Sequence, residues 1–282
     1  MQLPSPTVPD ENFESAYYVR QDETFVSTVW TRGPWDPQAQ HAGPPAALLA
    51  QAMDRLDNED GRWSIARFTM EILRPIPVAP LTVLVEVVRP GGRVRLCRGV
   101  ISANGLDVAT AAAWYIRCSD PEGEVEAVGT AEEKWPSASA LAHPPPTAVT
   151  ASPLDHPLRE PSYLGSLEWR FVTGQFDELG PAVVWARMRH PLIHDETISP
   201  LARVLVLADS GNGISAVLPL ATSLFINVEL SVHLVGLPAG EWVCLDAATR
   251  IGSANRGLAF ADLWGENGWI GRSAQALLIG SR

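Results

Sequence analysis

The chain contains two divergent copies of one sequence unit, at residues 66–116 and 227–279. In both copies a strand-like apolar run ends at an Asn-Gly pair, and a second strand-like run follows it. These second runs, GLDVATAAAWYI and GWIGRSAQALLI, align without a gap. An Asn-Gly pair between apolar runs is a strong signal for a β-hairpin. The repeat therefore predicts two pseudo-equivalent halves built from antiparallel strands.

Each copy is preceded by one apolar, helix-like run, at 43–56 and at 199–213. The first run has two prolines in its first turn, where proline is tolerated, and it is apolar on nearly every side. This pattern predicts a buried helix. Aligning Pro45 with Pro200 places Asp54 opposite Asp209, so that an aspartate ends each helical run. The predicted fold is α+β, with one buried helix and a set of long strands in each half.

Composition narrows the function and the compartment. The 282 residues are 46% apolar, which is ample for a core, and the net charge of −11 argues against nucleic-acid binding. The N-terminus lacks the features of a signal peptide, and no apolar run approaches the roughly 20 residues of a membrane span. The cysteines, Cys97, Cys118 and Cys244, have no CxxC spacing and are predicted to be free, buried thiols of a cytoplasmic protein.

Residues 119–165 differ from both halves, since they are rich in proline and acidic residues and include a triple proline at 144–146. This composition predicts a linker, either a disordered spacer or a strap packed on the surface. The predicted organisation is an N-terminal unit at 1–118, a linker at 119–165 and a C-terminal unit at 166–282.

Four motifs, HAGPPAALL, PLARVLVLADSGNG, FINVELSVH and SAQALLI, make the chain resemble the double-hotdog acyl-CoA thioesterases. This is the type II acyl-CoA thioesterase family, with thioesterase-like relatives in actinobacteria. The resemblance covers most of the chain and implies two tandem hotdog units, each a long helix wrapped by a curved antiparallel sheet. It also implies hydrolysis of acyl-CoA, with coenzyme A as part of the substrate and no other cofactor. Association into a homodimer or a higher homo-oligomer is expected on the same grounds.

The resemblance also implies a catalytic set. In the family this set is an aspartate at the end of the second helix, a glutamine in the last strand and a strand segment of the pattern T-I-D-H-S. These positions fall on Asp209, on Gln275 and on the run FINVE, so that Asn227 stands where the family has aspartate. Phe225 stands in place of the threonine and has no hydroxyl. Ala112 occupies the position of the glutamine in the first copy, which favours one catalytic site per chain.

Thioester hydrolysis needs a base, an oriented water and donors for the oxyanion. Burial at the end of an apolar helix would raise the pKa of Asp209 and make it a better base at neutral pH. The alternative is an aspartate that caps the following turn. Gln275 is predicted to hold the water beside Asp209, unless its side chain points outward. Asn227 is predicted to donate a hydrogen bond to the water or to the thioester oxygen. The alternative is that its side chain hydrogen-bonds only to backbone groups at the start of the strand.

The loop before the first helix is the second part of the predicted site. A helix N-terminus presents free N–H groups, and in hotdog proteins this loop is expected to face the catalytic aspartate of the other unit. His41, Gly43 and Ala46 are therefore predicted to contact the substrate. Because the two prolines at 44–45 have no N–H, the useful donors are expected from Gly43 and from Ala46 or Ala47. A tight loop without a ligand is the alternative.

A basic cluster lies in the run RPGGRVRLCR and comprises Arg89, Arg93, Arg95 and Arg98. It either binds the phosphates of coenzyme A or lies at solvated strand edges, and we favour the second interpretation.

Two other functions compete with hydrolysis. Hotdog hydratases place a histidine five residues after their aspartate, where this chain has Ile214, so a hydratase is disfavoured. A protein that binds acyl-CoA or a fatty acyl ligand without turning it over, or that serves as a structural hotdog assembly, stays possible because of Phe225. The histidines lack the spacing of a metal site, and there is no GxSxG motif of an α/β-hydrolase.

Overall fold

The computed structural model describes residues 15–56, 61–118, 143–152 and 161–282. The first half comprises β1 (Tyr18–Gln21), β2 (Thr24–Ser27), α1 (Gly43–Arg55), β3 (Trp63–Ile72), β4 (Pro80–Arg89), β5 (Val94–Ala103) and β6 (Leu106–Arg117). The second half comprises β7 (Leu167–Thr173), β8 (Ala182–Met188), α2 (Pro200–Ala208), α3 (Gly211–Ile214), β9 (Ser223–Asn227), β10 (Glu229–Leu234), β11 (Val243–Ile251), β12 (Arg256–Gly265) and β13 (Gly268–Ser281). Short 3-10 turns lie at Val29–Thr31 and Pro146–Ala148.

These strands form one sheet in the order β1-β2-β4-β5-β6-β3-β10-β13-β12-β11-β8-β7, with β9 paired to β13. From the central pair β3 and β10 outward, the two halves follow the same strand order. The halves join where Phe68 lies opposite Val232. The pairings between described strands are antiparallel, including the predicted hairpin β5–β6. Its turn residues Asn104 and Gly105 both have positive φ, which is why this pair of residues suits the turn.

The two long helices lie inside the curve of the sheet and pack against each other. Residues of α1 from Gly43 to Leu49 are all buried, which confirms the predicted buried helix. A Cβ on Gly43 would overlap the carbonyl oxygen of Val206, so the glycine allows the first turn of α1 to touch the last turn of α2. Two helices wrapped by one curved antiparallel sheet form the predicted double hotdog.

The second helix ends where the sequence predicts, at Asp209. Within the helix-like run at 199–213, α2 is capped by Ser199 and Asp209, and the single turn α3 follows Ser210. Ser210 N donates to Leu207 O at 2.9 Å, which tightens the end of α2. Gly211 and Gly213 follow, and glycine has a low preference for continuing a helix.

Part of the predicted linker is a strap on the second half. Residues 143–152 cover a cluster formed by Trp185, Trp242, Cys244 and Trp264, and Trp185 Nε1 donates to Pro144 O at 2.8 Å. The strap alternative therefore holds for these residues. Residues 119–142 and 153–160 lie outside the described part of the chain, and the division into three segments stays a prediction.

The three cysteines are free, but their burial differs from the expectation. Cys97 and Cys244 are buried, whereas Cys118 is exposed because it follows the last residue of β6 and lies beyond the core. Among the described residues, no helix has the length and apolar character needed to cross a membrane.

Candidate active site

The structure brings Asp209, Asn227 and Gln275 together. Asp209 follows the last residue of α2, and its side chain is 2% exposed. Asn227 Nδ2 lies 2.7 Å from Asp209 Oδ1, and Gln275 Nε2 lies 3.1 Å from the same oxygen. The pairing of β9 with β13 makes this possible, because Asn227 lies opposite Leu277, two residues from Gln275. Two side-chain amides thus donate to one buried carboxyl group.

The amide of Gln275 is fixed at both ends. Its Oε1 accepts from Asn212 N at 3.0 Å, and its Nε2 also donates to Asp209 O at 3.0 Å. Gln275 is 1% exposed, so the outward-facing alternative does not hold. These bonds satisfy a buried polar group that would otherwise destabilise the strand. Asn212, in α3, is a part of the site that the sequence analysis did not identify.

The loop of the first half reaches the aspartate of the second half. His41 Nδ1 lies 3.0 Å from Asp209 Oδ2, and the backbone N–H groups of Ala42 and Gly43 also donate to this carboxyl group. Burial raises the pKa of Asp209 to about 7, against the opposing hydrogen bonds from Asn227, Gln275 and the loop. Asp209 therefore changes its charge near neutral pH.

His41 stays neutral beside this carboxyl group, because burial lowers its pKa to about 3. Above pH 7 the imidazole donates its Nδ1–H to the ionised carboxylate. Below pH 7 the protonated carboxyl group donates to the single lone pair of Nδ1. One proton thus lies between His41 and Asp209 in either state, with its position set by the charge of the pair.

The three loop residues that were predicted to contact the substrate lie in different surroundings. His41 borders the cavity beside Asp209. The N–H of Gly43 lies 3.2 Å from His41 Nδ1 and also faces the carboxyl group of Asp209, and the absence of a side chain allows the contact with Val206. The N–H of Ala46 donates to Ala42 O at 3.0 Å inside α1, and Ala46 is fully buried. In this structure the protein itself uses the N–H groups of Gly43 and Ala46.

A cavity of about 270 Å³ opens beside the carboxyl group. Asp209, His41, Asn212 and Asn227 form its polar wall. Apolar side chains form much of the remaining surface: Trp35, Ile72, Pro75, Ile76, Ile226 and Val228. An apolar group and a polar reacting centre can therefore bind side by side.

Phe225 has no side-chain group that can hydrogen-bond to the carboxyl group. Its ring packs edge-on against Trp35, with 5.2 Å between the ring centroids, and is 2% exposed. Trp35 in turn lies under the guanidinium of Arg282 at 5.3 Å. The residue that replaces the family's threonine therefore supports the cavity wall.

Tyr163 is a second residue that the sequence analysis did not identify, since it lies in the predicted linker. Its ring stacks on His41 with centroids 3.7 Å apart and an interplanar angle of 7°. Its hydroxyl lies 2.6 Å from Val206 O and 2.7 Å from Ser210 Oγ. Nothing in the local sequence pattern of this proline-rich stretch signals these contacts.

The arginine cluster lies away from this site. Arg95 is buried, with its guanidinium 4.8 Å from the ring centre of Trp63 and 5.0 Å from that of Tyr115. Tyr115 contacts Asp54 near the C-terminus of α1, and the loop that meets Asp209 lies at the N-terminus. At 1.5 Å per residue these two ends of α1 are about 16 Å apart.

Two models of known protein families match the chain. Residues 31–116 match the family model of the acyl-CoA thioesterase N-terminal domain, and residues 138–279 match that of the acyl-CoA thioesterase C-terminal domain. No curated protein matches the chain in sequence.

Three solved structures illustrate the fold. A conserved protein of unknown function with a hot dog fold from Alicyclobacillus acidocaldarius has a TM-score of 0.68 and 16% identity, over 98% of this chain and 100% of the other. A protein from Thermobifida fusca assigned as a thioesterase II has a TM-score of 0.70 and 17% identity, over 97% and 99%. The acyl-CoA thioesterase II TesB2 from Mycobacterium marinum has a TM-score of 0.59 and 16% identity, over 93% of each chain. At these identities the likenesses establish the fold, whereas the two family models show that the chain belongs to the acyl-CoA thioesterase family.

Proposed function

We propose that the chain hydrolyses acyl-CoA thioesters to a free fatty acid and coenzyme A, using a water molecule that Asp209 activates. The observation that supports this most directly is a buried carboxyl group in the wall of an apolar cavity, with its pKa raised to about 7. A carboxylate with such a pKa is an effective general base at neutral pH. The family gives the reaction class, and the cavity gives a place for an acyl group beside the base.

The proposed reaction has two steps. The water oxygen bonds to the thioester carbonyl carbon as a water proton passes to the Asp209 carboxylate, which gives a tetrahedral intermediate. The C–S bond then breaks, and the proton on Asp209 passes to the departing sulfur. The products are a carboxylic acid and the thiol of coenzyme A, and Asp209 is again ionised.

Asn227 is the proposed donor to the oxyanion. Its Nδ2 group carries two hydrogens, one of which is bound to Asp209. The other makes a bond of 3.3 Å to Glu229 O, which is long for a hydrogen bond and can be exchanged for a developing negative charge. Gln275 holds Asp209 from the other side, and His41 holds its second oxygen.

A second function, binding of acyl-CoA without turnover, is favoured by one observation. The carboxyl group of Asp209 already accepts from four groups of the protein besides His41, so a water must compete for it. Phe225 supplies no hydroxyl to hold that water.

A thiol-release assay separates these functions. Purified protein is tested with acyl-CoAs from acetyl to palmitoyl, beside Asp209→Ala, and with a known thioesterase as the positive control. Release that depends on chain length and disappears in the variant supports hydrolysis. If the wild type releases no thiol but binds acyl-CoA in calorimetry, the hydrolase proposal is wrong and the binding function stands.

A further inference from the structure

Tyr163 contacts both halves of the candidate active site without bordering its cavity. The ring is fully buried and stacks on His41 from the first half. The hydroxyl contacts Val206 and Ser210, which lie on either side of the end of α2 in the second half. The backbone N–H of Tyr163 donates to Arg32 O at 3.0 Å, which ties the residue to the loop region of the first half.

The directions of these hydrogen bonds follow from their chemistry. Tyr163 has one hydroxyl hydrogen, and the carbonyl of Val206 can only accept, so Tyr163 donates to Val206 O at 2.6 Å. Ser210 Oγ must then donate to the Tyr163 oxygen at 2.7 Å. A carbonyl in the last turn of a helix needs a partner outside the helix, because Ser210 N already donates to Leu207 O. Tyr163 is that partner.

The ring of Tyr163 contacts His41, and its hydroxyl contacts the end of α2 beside Asp209. The hydroxyl fixes the end of α2, and Asp209 lies between Ser210 and the last residue of that helix. The stacked ring limits rotation of the His41 imidazole, whose Nδ1 points at Asp209 Oδ2. A stacked pair at 3.7 Å leaves no room for the imidazole to tilt.

We propose that Tyr163 is a positioning residue that holds His41 Nδ1 against the carboxyl group of Asp209. This inference rests on the proposed function, since it gives Tyr163 a part in the same reaction. The titratable and charged groups around the pair are Tyr163 itself and, at the cavity, Asp36 and Arg74. No cation faces Asp209 from β9 or β13, whose contributions are the amides of Asn227 and Gln275.

The test compares Tyr163→Leu, which removes the stacked ring and the hydroxyl, with Tyr163→Phe, which removes only the hydroxyl. Tyr115→Phe is the matched control, because it removes a tyrosine hydroxyl bound to the equivalent aspartate of the first half, Asp54, at 2.9 Å. A thermal melt and a circular dichroism spectrum first show which variants are folded.

With Tyr163→Leu we expect kcat to fall about 10- to 100-fold at unchanged KM, because the base is misplaced. The midpoint of the pH profile of kcat should rise by about one unit, since the carboxylate loses the His41 donor. Tyr163→Phe should lower kcat at least about threefold with little change of midpoint. Tyr115→Phe should change neither quantity. Wild-type kcat and midpoint in a folded Tyr163→Leu variant would overturn the proposal, as would an equal effect of Tyr115→Phe.

If Tyr163→Leu does not fold, Tyr163→Phe decides the matter, and unchanged kcat in that variant counts against the proposal. A readout without substrate keeps this test separate from the proposed function. Carboxyl ¹³C NMR of Asp209 and ¹⁵N NMR of His41 report the titration and the tautomer directly. If the wild type has no thioesterase activity, a raised Asp209 titration midpoint in Tyr163→Leu still supports the positioning role, and an unchanged one overturns it.

Discussion

Asp54 and Asp209 occupy equivalent positions in the two halves, one near the end of α1 and the other at the end of α2. Both are close to the N-terminal region of the opposite helix. Asp209 is held by the side-chain amides of Asn227 and Gln275 and by His41, and it borders the cavity. Asp54 accepts from the hydroxyl of Tyr115 at 2.9 Å and does not border that cavity.

The charges around the two carboxyl groups differ as well. Burial raises the pKa of Asp54, but hydrogen bonds from Ser199 and Tyr115 and the positive charge of Arg95 oppose this. Around Asp209 the opposing groups are all neutral donors. Equivalent positions in the two halves therefore carry carboxyl groups in different environments, one beside a cation and the other beside neutral donors and a cavity. The predictions below follow from this difference.

The largest expected effect is the loss of activity in Asp209→Asn. We expect kcat to fall about 10²- to 10⁴-fold, the usual contribution of a general base. Asp54→Asn should leave kcat within about twofold but lower the free energy of unfolding by about 1–3 kcal/mol, because the partners of a buried group are disturbed. Steady-state kinetics and urea unfolding of both variants measure this. Comparable losses of activity in the two variants would contradict the prediction that only the aspartate of the second half takes part in the reaction.

The second prediction concerns pH. The carboxyl group of Asp209 titrates near 3.8 in the unfolded chain and at about 7 in the folded protein. Between these values only the unfolded state is ionised, so stability falls as pH rises, by on the order of 4 kcal/mol in total. Asp209→Asn should abolish this loss between pH 4 and 7. The loss of stability with rising pH that is due to Asp54 should be smaller, because Arg95 and Tyr115 stabilise its ionised form.

Urea unfolding at intervals across this range measures the effect, and the activity of the wild type should rise with pH through about 7. A wild type whose stability relative to Asp209→Asn is the same at pH 4 and pH 7 would contradict the raised pKa.

The third prediction makes the second half resemble the first. Gln275→Ala gives the second half the residue that the first has at Ala112. We expect kcat to fall about 10- to 100-fold, because Asp209 loses a donor and Asn212 N loses its acceptor. The reverse change, Ala112→Gln, is the control and should not add activity. Unchanged kinetics in Gln275→Ala would remove this residue from the site.

The smallest kinetic effect is expected from Arg95→Met. Arg95 is buried between Trp63 and Tyr115, so its replacement should lower the free energy of unfolding by about 2 kcal/mol. KM for acyl-CoA should not change, because the residue lies at the far end of α1 from the cavity. A KM that rises tenfold would instead support the interpretation of the arginine cluster as a phosphate site.

Much of the fold could be predicted from local patterns. The Asn104-Gly105 turn, the buried first helix and the pairing of Asp209 with Gln275 each follow from a short sequence signal or from the family pattern. The contact of His41 with Asp209 was expected only in outline, because the packing of α1 on α2 decides which atoms meet. Local signals also suggested free N–H groups at Gly43 and Ala46, but the N–H of Ala46 donates to Ala42 O in the first turn of α1, and the N–H of Gly43 lies 3.2 Å from His41 Nδ1.

Other features depend on long-range contacts as well as on local ones. The end of α2 at Ala208 reflects the backbone bond of Ser210 and the glycines that follow, together with the hydroxyl of Tyr163. Tyr163 lies in a stretch whose composition predicts a linker, and no periodicity marks its side chain as buried. Such residues are found only when the two halves are seen in contact.

The junction of β3 with β10 has a consequence for attempts to divide the chain. Separate expression of the two halves would expose the edges of two central strands, whose unpaired backbone groups are prone to aggregate. Neither fragment would contain both His41 and Asp209, so neither would hold the complete candidate site. If the fragments were mixed, recovery of strand pairing and recovery of turnover should follow the same concentration dependence. Complementation of this kind would measure how tightly the two repeats bind each other.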